Sequence, residues 1–215
     1  VGHYAERAVS RAAAMQALLV TTFGGLAMLV GVIIVGQHAG TYLLSEWVAT
    51  PPGGTAVAVG VVLIIVGALS KSAIVPFHFW LPGAMAAPTP VSAYLHAAAM
   101  VKAGVYLIAR LTPGFADSPG WRPTIVTLGV VTMVLAGWRA VREYDLKLIL
   151  AFGTVSQLGF LVVLVGCGGR DTMLAGLAML CAHALFKAAL FMVVGIIDHA
   201  TGTRDIRRLG WLGNR

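Results

Sequence analysis

Of the 215 residues, 59% are hydrophobic and 11% charged, against roughly 45–50% and about 25% in an ordinary soluble domain, which excludes a water-soluble globular fold. Fifteen Lys and Arg against eight Asp and Glu give a formal net charge of +7, but no basic stripe with interleaved aromatics accompanies it, so a nucleic-acid surface is excluded as well. The arginines gather at the ends of apolar runs, where membrane topology accounts for them. The chain opens at Val1 with no initiator Met and no basic, short-apolar leader pattern, and it is expected to be a piece of a longer protein. Cys167 and Cys181 lie fourteen residues apart without CxxC or metal-ligand spacing, and both read as small hydrophobes.

In chain order, apolar runs of the length needed to cross about 30 Å of hydrocarbon predict spans at Ala13 to Gly36, Ala56 to Val75, Val91 to Leu111, Trp121 to Trp138, Leu146 to Gly166 and Thr172 to Ile197. The expected fold is all-α, a polytopic bundle of about six transmembrane helices forming a single domain over residues 1–215. Between the second and third spans, Pro76 to Pro90 is apolar but cut by Pro76, Pro82, Gly83, Pro88 and Pro90. Proline removes a donor and clashes one turn back, so this stretch reads as the broken second half of the second helix, with Pro76 and Pro82 as the breaks. Ala93, Ala97 and Gly104 on the third span allow close helix approach. Trp121 and Trp138 stand where interfacial tryptophans belong.

Lys and Arg counted by side support this layout. The side of the N-terminus takes Arg7, Arg11, Arg139, Arg142, Lys147, Arg204, Arg207, Arg208 and Arg215, and the opposite side only Arg110, Arg122 and Arg170. Both ends are therefore expected on the cytoplasmic face of a cell membrane.

The remaining basic residues, Lys71, Lys102 and Lys187, fall inside predicted spans. Each costs about 2.5–3.5 kcal/mol at a helix centre on insertion scales, so each must be paired, hydrated or held neutral, and proton or ion transport is the usual reason for such placement. The competing reading, snorkelling to the headgroups, applies best to Lys71 beside the proline-rich stretch. His183 and Lys187, four residues apart, are about 40° apart around a helix and share one face, which suits a two-step proton relay. His96 and Lys102, six apart, are about 120° apart and need water to join them; a satisfied core histidine is the alternative for His96. The broken helix beside Lys71 either lines a hydrated cavity or is a packing kink. All eight carboxylates lie outside the spans, so partner acids are expected from other helices or subunits.

Three blocks carry a family resemblance: KSAIVPFHFWLPGAMAAPTPVSAYLHAAAMVKAGVYLIARL from Lys71, DLKLILAFGTVSQLG from Asp145, and HALFKAALFMVVGIIDHATGTRDIRRLG from His183. In this order they resemble the antiporter-like membrane subunits shared by complex I and Mrp-type multisubunit Na+/H+ antiporters, and the first and third look most like the large A-type subunit of the Mrp antiporters. The resemblance implies a fragment, roughly the sixth to eleventh helices, of an inverted-repeat fold in a hetero-oligomeric complex exchanging Na+ or a similar monovalent cation for protons, with no cofactor. It also implies that Lys71 is the lysine of a broken helix whose partner glutamate lies upstream, and that His96, Lys102, His183 and Lys187 continue the proton path. Met179 and Leu148 depart from the family pattern, where a second histidine and a second basic residue are common. The alternatives are a proton-pumping subunit of an NADH:quinone oxidoreductase and a structural subunit that transports nothing.

Overall fold

A computed structural model describes residue 4, residues 6–98 and residues 100–210, with the side chains of residues 97 and 98 outside that description; the expectations resting on Arg215 and on the Ala97 side chain lie outside the described residues. The elements are α1 (Ala8–Ala39), α2 (Leu44–Ala49), α3 (Thr55–Lys71), then a broken segment holding α4 (Trp80–Gly83) between two short 3-10 turns, α5 (Thr89–Ala93) running into a π-turn at Tyr94–Ala98, α6 (Lys102–Phe115), α7 (Trp121–Val141), α8 (Leu146–Gly166) and α9 (Arg170–Thr201). Among the described residues there is no strand, and α1, α7, α8 and α9 are each long and apolar enough to cross a membrane.

The two helices at the start of the bundle meet through glycine. A Cβ on Gly31 would strike the Gly60 carbonyl, and one on Gly67 would come within 2.6 Å of the Gly24 carbonyl, so the 24/31 and 60/67 pairs let α1 and α3 run antiparallel at backbone contact. The packing runs to the last turn of α3, where Gly24 faces Ser70, and beyond it Gly83 faces Ala13 and Gln16. The seventeen residues of α3 rise only about 26 Å, short of the hydrocarbon thickness. The segment from Ser72 to Ala86 therefore completes the same crossing, as the prolines predict, with Pro76 capping a 3-10 turn and Pro82 inside α4.

Three expectations are corrected. The third span is not one α-helix, because a π-turn at Tyr94–Ala98 and a turn at Met100 and Val101 interrupt it before α6 begins. A π-turn adds a residue to one turn and rotates the residues beyond it by about 100° relative to a plain helix, so the angle between His96 and Lys102 does not follow from their spacing. Trp121 is buried, stacked on Phe115 with centroids 6.0 Å apart, because the turn before α7 folds its indole inward; Trp138 is exposed and lies under the Arg142 guanidinium. Lys147 is not a surface cation but 2% exposed. Its helix is the central one: Lys147, Ala151, Thr154, Leu158 and Val162 are buried at helical spacing along a single face.

Candidate functional site

At the N-terminal end of α8, the Asp145 carboxylate accepts from the Lys147 and Leu148 amides, closing the free donors of the first turn. The cap fixes the start of the helix so that Lys147 points inward. Its ammonium donates to the Ala87 carbonyl at 2.7 Å and the Met85 carbonyl at 3.3 Å, groups at the end of the broken segment. Lys147 also lines an open cleft of about 1780 Å³, whose walls include Arg7, Thr89, Asp198 and Arg204. The N-termini of α1, α5 and α8 and the C-terminus of α9 thus meet at one end of the bundle, as an even number of crossings requires.

A clasp closes the side of this cleft. The Leu146 amide donates to the Arg204 carbonyl and the Ile206 amide to the Tyr144 carbonyl, both at 3.0 Å, while Arg204 pairs with Asp145 at 3.2 Å. Arg207 holds Asp205 through two side-chain bonds and lies 4.3 Å over the Tyr144 ring. Those hydrogen bonds lower the Asp205 carboxyl to about 2. A depressed carboxylate pKa contributes stability above the ordinary carboxylate range and loses it as pH falls through about 2, so the Arg207–Asp205 pair is fully charged throughout the neutral range.

Deeper in, His96 and His183 are fully buried, Lys102 is 4% exposed and Lys187 5% exposed. His183 and Lys187 share the buried strip of α9 with Gly176, Phe191 and Val194, as their spacing predicts. The His96 ring lies 4.9 Å from that of Phe191 and the His183 ring 5.2 Å from that of Phe186. Both ring nitrogens of each histidine lack a hydrogen-bond partner among the described residues, a costly state for buried polar atoms unless water or another helix completes them. The Lys187 ammonium is 3.3 Å from where a Cβ on Gly153 would stand, which places it against the α8 backbone. His183 feels the charges of Lys102 and Lys187, and His96 those of Lys187, His183 and Lys147.

Lys102, His183, Lys187, His96 and Lys147 thus make a buried file of charges, in which Lys102 and Lys187 act on His183, and Lys187, His183 and Lys147 act on His96, with Lys147 also lining the cleft. No Asp or Glu is among the buried side chains described; at the cleft, Asp198 and Asp145 act on Lys147. Lys71 is half-buried at the last position of α3, and Ser72 next to it is bonded to the start of α6 at Val101 and Val105. Lys147 is the member that sequence reasoning missed, because its place next to Asp145 and Arg142 resembles a loop. No periodic signal marks it, since α8 is apolar nearly all round.

The transmembrane family of NADH:quinone oxidoreductases and Mrp antiporters matches this chain over residues 1–215. The chain belongs to that family. Within it, the chain is 48% identical over 99% of its length to the probable A/B subunit of a K+/H+ antiporter from Rhizobium meliloti strain 1021, covering 22% of that protein. It is 43% identical over 99% of its length to the A1 subunit of a Na+/H+ antiporter from Staphylococcus saprophyticus, covering 28% of it. The chain thus spans about a quarter of the length of these relatives. Among solved structures, the Mrp complex from Dietzia sp. DQ12-45-1b matches at TM-score 0.85 and 48% identity over 89% of this chain and 22% of that one. The archaeal membrane-bound sulfane sulfur reductase matches at TM-score 0.87 and 28% identity over 95% and 43%. Membership in this family, with the apolar helices described above, makes the protein a multi-pass membrane protein with the antiporter-like fold.

Proposed function

We propose that the chain is part of the large subunit of a multisubunit monovalent cation/H+ antiporter, carrying protons along the buried file while the complex exports Na+ or a similar cation. The observation that carries this reading is the file itself. Amines and imidazoles placed one after another in an apolar interior, ending in an open polar cleft, are a costly arrangement with a use in proton transfer. Interhelical hydrogen bonds average about 0.6 kcal/mol in membranes, too little to make a structural role the reason for burying them. The antiporter names of these relatives favour exchange. Lys71 serves as the proton carrier at the broken helix, with its acid supplied from outside these residues. Replacing Lys71 with Ala is expected to abolish cation-driven proton movement in everted vesicles while the complex still assembles; normal exchange by an assembled variant would defeat the assignment.

The likeness to an archaeal respiratory membrane complex supports a second reading, a proton-pumping subunit of an oxidoreductase. Subunits that co-purify with the full-length protein separate the two: small membrane proteins for the antiporter, flavin and iron–sulfur proteins for the oxidoreductase.

The gathering of most of the arginines at the cleft end supports a cytoplasmic position for it in the cell membrane. In the full-length protein freed of native cysteines, a cysteine at Ser118 is expected to react with an impermeant thiol reagent in intact cells, and one at Gly202 only after permeabilisation. The reverse pattern would invert the topology.

A further inference from the structure

The first turn of α6 is opened by a side chain from just beyond the end of α3. In a plain helix the Val105 amide would donate to the Val101 carbonyl, four residues back. Here the Val105 amide donates to Ser72 Oγ at 3.1 Å, and the same hydroxyl donates to the Val101 carbonyl at 2.7 Å. The hydroxyl is thus inserted into the ladder, relaying the missing bond, and insertion of this kind bends a helix where it occurs. Lys102 lies within that opened turn, between Val101 and Val105. Ser72 follows Lys71 directly, at the discontinuity of α3, and is fully buried.

Space for the insertion comes from Gly104, where any Cβ would overlap Ser72 Oγ and the Ala68 carbonyl. The rest of the break is anchored separately: the Trp80 indole donates to the Ser70 carbonyl and the Val75 amide to Thr132 Oγ1, each at 3.0 Å. Those bonds hold the broken segment itself, whereas Ser72 faces α6. A serine needed only for packing would satisfy its hydroxyl on its own helix, as Ser70 does on the Gly67 carbonyl.

We propose that Ser72 is a positioning residue that holds the Lys102 turn open and in register with the break at Lys71, so that protons pass between the two lysines at a set geometry. This rests on the proton-file reading above. Replacing Ser72 with Ala would let the Val105 amide close directly onto the Val101 carbonyl and turn Lys102 away from its place.

The test uses the full-length subunit in its assembled complex. Ser72→Ala is expected to lower exchange about tenfold or more, since small misplacements of reacting groups cost that much, and to move the pH profile of exchange. Ser72→Ala is also expected to add nothing in a Lys102→Gln background, and to slow hydrogen–deuterium exchange at the Val105 amide as the plain helical bond forms. Unchanged exchange and pH profile in assembled Ser72→Ala, or a loss of equal size in the presence and absence of Lys102, would overturn the positioning role. Normal exchange by Lys102→Gln would remove the proton-file reading and the positioning role with it. A crippled Lys102→Gln beside a normal Ser72→Ala removes the positioning role alone.

Discussion

Replacing Lys147 with Met is expected to stop exchange, by about 100-fold or more, the scale on which loss of a proton-transferring group is felt. Two consequences of the structure combine. The ammonium lines the open cleft and its charge reaches buried His96, so a thioether there removes the titratable group at the cleft. It is also the donor to the Met85 and Ala87 carbonyls, and each carbonyl left unsatisfied costs about 1–3 kcal/mol, which loosens the end of the broken segment. Lys147→Arg separates the two effects. Guanidinium can donate to both carbonyls but does not give up its proton in proteins, so this variant is expected to assemble at the normal level and still fail to exchange. Native-gel quantity of the complex and cation-driven acidification in everted vesicles are the two measurements. Exchange by Lys147→Met at the wild-type rate would show that protons enter elsewhere.

Lys147 also shows where sequence reading of this protein reaches its limit. Apolar run length placed the four long helices α1, α7, α8 and α9, because crossing a bilayer sets a minimum length that composition reports directly, and the prolines placed the break because their effect is local. The shared face of His183 and Lys187 followed from period alone, and the structure buries both. What remained illegible is set by tertiary contact. The π-turn at Tyr94–Ala98 leaves no compositional mark. The short α2 helix exists around Trp47, whose indole donates to the Thr41 carbonyl and which is buried, a contact no apolar run announces. Lys147 was grouped with the arginines because charge beside a loop is normally solvated; only the carbonyls of a segment some sixty residues away make its burial affordable.

At the centre of the file, Lys187 and Gly153 lead to a result in which stability and activity part company. The Lys187 charge acts on both buried histidines, and Lys187→Met is expected to reduce exchange about 100-fold without preventing assembly, since Met keeps the length and apolar stem. The graded companion is Gly153→Ala. Glycine inside a helix costs roughly 0.5–1 kcal/mol relative to Ala, so this change alone is expected to leave the protein as stable or slightly more so. Its new methyl, however, would stand 3.3 Å from the Lys187 ammonium, closer than such contacts settle, and the flexible lysine is the group that yields. Exchange is therefore expected to fall while thermal stability holds or rises, and Gly153→Val, with two more carbons in the same space, is expected to fall further. A series in which exchange tracks stability instead, or in which all three variants exchange normally, would mean that the Lys187 ammonium is anchored against α8 for packing and that protons cross the bundle by another route.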